Sequence, residues 1–117
     1  MKDNALKTKS YKFALRMVKL FQYLLNEKKE FVLSKQILRS GTSVGANIEE
    51  AFQGESKNDF IHKLSIANKE AFETHYWLRL LRDSEILEKK IADSLLTDCD
   101  ELQKLLVSSI KTAKNKW

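Results

Sequence analysis

Two of the chain's three glycines, Gly41 and Gly45, stand four residues apart in a run where Leu33, Ile37, Ser40, Val44 and Ile48 recur at helical spacing. A glycine in a helix interior costs about 1 kcal/mol relative to alanine, so two on one helical face point to a packing purpose. A second helix can lie closer to that face than larger side chains would allow. The rest of the chain suits this demand. It has no proline, and its 43% apolar residues stand against 32% charged, a composition fitted to an ordered helical protein.

At 117 residues the chain supports one domain, residues 1–117, with one core. Helical periods predict four segments, near Thr8 to Glu27, from Val32 or Ser34 to Gln53, from Lys57 to Arg82 and from Glu88 to Lys114. Short links join them. Lys28-Lys29-Glu30 forms the first turn, and Gly54 suits the position after the end of helix two. Ser56 with Asp59 three residues on reads as an N-cap for helix three, and Asp83-Ser84-Glu85 marks the last turn. Helix three presents Phe60, Leu64, Ala67, Ala71, Thr74, Leu78 and Leu81 along one seam, and helix four presents Leu95, Cys99, Leu102, Leu106 and Ala113. The expected fold is all-α, an antiparallel up-down-up-down four-helix bundle.

Helix one has two apolar stripes. Tyr11, Ala14, Val18, Phe21 and Leu25 follow one, and Phe13, Met17, Leu20 and Leu24 follow another turned by roughly 100°. Either one stripe enters the core and the other meets a partner subunit, or both belong to one broad core face.

A third face of helix one carries Lys9, Lys12, Arg16 and Lys19, with no acid between them along that face. Residues 1–29 hold eight Lys or Arg against two acids, so the basic excess of the chain, net +5, is concentrated there. In an up-down-up-down bundle the start of helix one and the end of helix four share one pole. Lys7, Lys9 and Lys12 are then expected to converge with Lys111, Lys114 and Lys116, while the acids of helix four sit toward the opposite pole. Glu49, Glu50 and Glu55 lie toward the basic end and neutralise part of it. Such a pole attracts phosphate backbones, and Tyr11 and Trp117 offer stacking surfaces for bases. The plain alternative is a solvated face.

Catalytic patterns are weak. Gly41-Thr42-Ser43-Val44-Gly45 fits the G-x-S-x-G spacing of hydrolases, but that chemistry needs a strand before the serine, and here the serine lies inside a helical period. His62 and His75 are thirteen residues apart, roughly 140° around a helix, and do not face each other. No metal or cofactor site is expected, and no enzyme. Arg39 is expected level with Glu70 or Glu73 across an antiparallel pair, and Asn47 near Leu64. The lone Cys99 reads as core. No apolar run reaches the roughly 18 residues of a membrane span or follows signal-peptide design, so a cytoplasmic location is expected.

Arg39, Ser43, Ala46-Asn47-Ile48 and Glu50, followed by Lys69-Glu70-Ala71, Glu73-Thr74 and Tyr76-Trp77-Leu78, resemble the four-helix-bundle family of 23S rRNA intervening-sequence proteins over nearly the whole chain. Gly45 stands where many members have proline, Ala51 where many have glycine and His75 where a second glutamate is common. The family is in turn similar to the accessory protein of diversity-generating retroelements, a pentameric bundle that binds nucleic acid and assists a reverse transcriptase. The resemblance implies a ring-shaped homopentamer with a basic surface for RNA or DNA, and a protein partner such as a reverse transcriptase. The expected function is therefore a noncatalytic, oligomeric bundle that binds nucleic acid through Lys9, Lys12, Arg16, Lys19, Lys111, Lys114 and Lys116. The alternative is a structural or adaptor protein that binds another protein, its lysines serving solubility.

Overall fold

Each segment with a helical apolar period forms a helix. These are α1 Lys2–Asn26, α2 Leu33–Ala51, α3 Lys57–Asp83 and α4 Lys89–Lys116. The computed structural model describes residues 2–116 and the side chains of residues 5–115. The boundaries of α2, α3 and α4 fall within two residues of expectation, whereas α1 begins six residues before Thr8. Leu6 accounts for the difference, because it is buried one turn before Ser10 and continues the core seam toward the chain start.

The turns are fixed by chemistry local to each. Lys29 takes a left-handed conformation (φ 53°), and the Glu30 amide donates to the Leu24 carbonyl at 2.9 Å, closing the end of α1. Glu30 also does something the sequence reading missed. Its carboxylate accepts from the amides of Val32, Leu33 and Ser34 at 3.2, 3.0 and 2.7 Å, capping α2. Ser56 caps α3 as expected, its hydroxyl accepting from the Asp59 amide at 3.1 Å. Gly54 follows the end of α2 as expected, but without a left-handed turn, since no glycine has positive φ. Gly54 instead allows a close approach, because a Cβ there would lie 3.0 Å from the Ala51 carbonyl oxygen and 2.8 Å from Asp59 Oδ2.

Successive helices run antiparallel, with α1 packed on α2, α2 on α3 and α3 on α4, while α4 meets α1 in a thinner seam that closes the bundle. The result is a rod of 47 × 20 × 20 Å. Its core holds the seams of α3 and α4 as expected, including Leu64, Ala67, Ala71, Leu78, Leu81, Leu95, Cys99, Leu102 and Leu106. In α1 the two stripes part company. Phe13, Met17, Leu20 and Leu24 are buried, whereas Tyr11 and Val18 remain 64% and 40% exposed. The glycine pair meets a helix of its own chain. A Cβ on Gly41 would overlap Met17 Cγ, and one on Gly45 would rest 3.4 Å from the Ser10 carbonyl oxygen, so α1 crosses α2 over these two positions.

Candidate nucleic-acid interface

The basic face of α1 divides once its neighbour is in view. Lys9 Nζ lies 3.1 Å from Glu101 Oε2, and Arg16 Nη1 lies 2.5 Å from Asp98 Oδ2. Arg16 Nη2 also donates to Ser94 Oγ at 3.1 Å, and Tyr23 donates to Glu88 Oε1 at 3.1 Å. These contacts tie α1 to α4 along the thin seam. The acids Asp98 and Glu101 therefore reach the basic stripe and do not stand at an opposite pole. No acid interrupts the stripe along α1 itself; the counter-charges come from a helix some eighty residues away in sequence.

Lys12 and Lys19 are exposed on the solvent side of that seam, and neither makes an ion pair among the described residues. Lys111 and Lys114 are exposed on the last turns of α4, and Lys57 Nζ donates to the Lys114 carbonyl at 3.4 Å. The bundle places the start of α1 and the end of α4 at one pole, as expected, but the two sets of lysines do not merge. Lys9 is level with Glu101, and Lys111 lies ten residues further along α4, roughly 15 Å at helical rise. The Lys116 side chain and Trp117 lie outside the described residues. Partial neutralisation of this pole is as anticipated, since Glu49 pairs with Lys7 at 3.7 Å and Glu50 with Lys63 at 2.8 Å.

Across α2 and α3, Arg39 reaches both acids expected to be level with it. It pairs with Glu70 at 3.2 Å and with Glu73, whose carboxylate also accepts from Trp77 Nε1 at 3.0 Å. The Arg39 hydrogen bond, then that of Trp77, holds the Glu73 carboxyl below its ordinary range against the opposing effect of burial. Arg39 is half exposed, which makes this a surface network of modest energy, about 1 kcal/mol or less per pair. Beneath it lies a buried pair invisible in the sequence pattern, the Thr74 hydroxyl 2.9 Å from that of Ser40 and 2.8 Å from the Glu70 carbonyl oxygen.

Ser43 lies within α2 as its helical period predicts, and its hydroxyl donates to the Arg39 carbonyl at 2.7 Å. Asn47 donates from its side-chain amide to the Ser43 carbonyl at 2.9 Å. His75 Nε2 sits 3.0 Å from Asp100 Oδ1, and its Nδ1 accepts from Arg79 Nε at 3.0 Å. Among the described residues no group of three or more His, Cys, Asp or Glu is gathered to hold a metal ion. Cys99 is core, and burial, aided by Asp100 and Asp98, pushes its thiol up to about 12. No helix among the described residues is long and apolar enough to cross a membrane.

Comparison with known proteins agrees with this architecture. The chain is similar to a protein of unknown function from the S23 ribosomal protein family of Bacteroides thetaiotaomicron, solved by crystallography. The two are 58% identical over 96% of this chain and 100% of that one, with a TM-score of 0.94. No curated protein matches. The family model for the 23S rRNA-intervening sequence protein matches residues 2–108. With its two sequence motifs joined through Arg39, Glu70 and Glu73 on one bundle face, this chain belongs to the 23S rRNA-intervening sequence protein family.

Proposed function

We propose that the chain is a noncatalytic, self-associating bundle that binds nucleic acid through the outer face of α1 and the end of α4. The observation that carries this reading is the pair Lys12 and Lys19, exposed and without acid partners among the described residues while Lys9 and Arg16 beside them are engaged by α4. Free ammonium groups on a rigid helix attract phosphates without reading sequence. Lys111 and Lys114 form a second basic patch at the end of α4, with Lys116 the further candidate, and Lys9 and Arg16 serve chiefly to hold α1 on α4. Either RNA or DNA suits such a surface, because both present phosphates.

Self-association uses the exposed members of the α1 stripe that the core leaves out, Tyr11 and Val18, with the exposed Leu15 beside them. The resemblance to pentameric bundles makes a homopentamer the assembly to look for, and repetition would strengthen a weak phosphate contact through avidity. The same apolar stripe favours the rival reading, an adaptor for another protein. Binding of labelled RNA and DNA across a salt series separates the two, using the wild type and Lys12→Glu with Lys19→Glu. On the nucleic-acid reading, affinity falls steeply with salt and the double variant loses about tenfold or more, while its oligomeric mass is unchanged. Unchanged affinity in the double variant would remove α1 from the interface.

A further inference from the structure

The outer face of α3 has no role in the core or in the α1 surface. Phe72 and Tyr76 lie one turn apart on it, 60% and 50% exposed, with rings roughly 6 Å apart along the helix axis by its rise. Exposed aromatic pairs are costly to leave in water, and single-stranded nucleic acids use such pairs as stacking platforms. Two cations flank the rings. Among the described residues Lys69 is exposed with no ion pair and Arg79 has no carboxylate partner, donating to His75 and lying 5.8 Å over the Tyr76 ring. The acids nearby are turned away or occupied. Glu70 and Glu73 are drawn to Arg39 on the α2 side, and Asp100 of α4 is held by His75.

We propose that this face binds single-stranded nucleic acid, with unpaired bases stacked on Phe72 and Tyr76 and the adjoining phosphates paired to Lys69 and Arg79. α1 and α3 are diagonal in the bundle, so the face points away from the Tyr11 stripe and stays open when α1 faces meet. The inference shares with the reading above only that the ligand is a nucleic acid; its residues are separate. Stacking makes the site tolerant of sequence but selective for unpaired strands, which distinguishes it from the phosphate contacts of α1.

The test uses the full chain and fluorescence anisotropy with labelled oligothymidylate and oligouridylate of about 20 nucleotides, long enough for one site, and a duplex of equal length. Phe72→Ala with Tyr76→Ala is expected to weaken single-strand binding about tenfold or more and leave duplex binding unchanged. Tyr76→Phe, which keeps the ring, retains the affinity. Both positions are exposed, and circular dichroism checks that the fold survives. Trp77 supplies a second readout, because its ring meets that of Tyr76 edge-on at 5.1 Å. In a Trp117→Phe background, a base stacking on Tyr76 quenches Trp77 emission. Single-strand affinity unmoved by the alanine pair, or emission unchanged at saturating oligonucleotide, overturns the inference. A change of oligomeric mass in the alanine pair also overturns it, identifying the face as a subunit or protein contact. Lys12→Glu with Lys19→Glu, run beside these, reports on α1 separately.

Discussion

Gly41 and Gly45 look equivalent in the sequence and are not equivalent in space. A methyl group at Gly41 would collide with Met17, which is fully buried and surrounded by core side chains, whereas one at Gly45 would make an ordinary contact with the backbone at Ser10. Alanine gains about 1 kcal/mol of helix propensity at either site. At Gly41 that gain is opposed by an overpacking cost of about 1–3 kcal/mol. Gly41→Ala is therefore expected to destabilise by up to about 2 kcal/mol, and Gly45→Ala to be neutral or stabilising by up to about 1 kcal/mol. Urea unfolding of the two variants checks the pair, and the contrast fails if they shift the midpoint alike. The spacing of the glycines was legible in the sequence. Which of the two is crowded depends on where α1 crosses, and that is set by side chains more than twenty residues earlier.

At the level of elements, α2 owes its start to a residue outside it. Burial pushes the Glu30 carboxyl up, but the amides of Leu33, Ser34 and Val32 together outweigh it and hold the group below its ordinary range. Glu73 is also held low, by Arg39 first and then Trp77. A carboxylate with a depressed folded pKa contributes stability above its unfolded value, about 4.3, and loses it as pH falls through the folded value. Stability is thus expected to be level near neutrality and to decline below about pH 4.5. Glu30→Gln is expected to lose about 1 kcal/mol at pH 7 and to show a shallower decline in acid. Urea midpoints at pH 7, 4 and 3 test this, and an acid dependence as steep as wild type in Glu30→Gln would remove Glu30 as a contributor. Local sequence predicted the Ser56 cap, because serine with an acid three residues on is a pattern of side chains near their own backbone. The Glu30 cap escaped notice because it depends on how the turn at Lys29 swings the carboxylate onto three amides.

On the scale of the whole molecule, the stripe of α1 left outside the core is the surface through which we propose that copies of the chain associate. Tyr11 and Val18 are exposed with Leu15 between them, and a charge there would oppose burial against a second copy without disturbing the core. On that proposal, wild type has the mass of an oligomer, and Tyr11→Glu with Val18→Glu is expected to be monomeric with helical content at the wild-type level. Light scattering with circular dichroism measures both, and an unchanged mass would move the subunit contact elsewhere. The thin α1–α4 seam gives this face its setting. Lys9 and Arg16 fasten α1 at one side, and the Met17 and Ser10 contacts with the glycines fasten it at the other, so the outward side chains are held on a rigid element.

Four helices, their order and most of their buried seams follow from the sequence alone, because a 3.6-residue period of apolar side chains leaves a helix one face to bury and short links leave antiparallel neighbours as the solution. The pairing of Arg39 with Glu70 and Glu73 followed from that same register. The fate of the α1 stripes and of the basic face did not. Both depend on which side chains of α2 and α4 occupy the space around α1, and a pattern read along one helix contains no information about counter-charges supplied by another. The tertiary structure alone decided that Lys9 and Arg16 are engaged, that Lys12 and Lys19 make no ion pair among the described residues, and that Phe72 and Tyr76 face solvent.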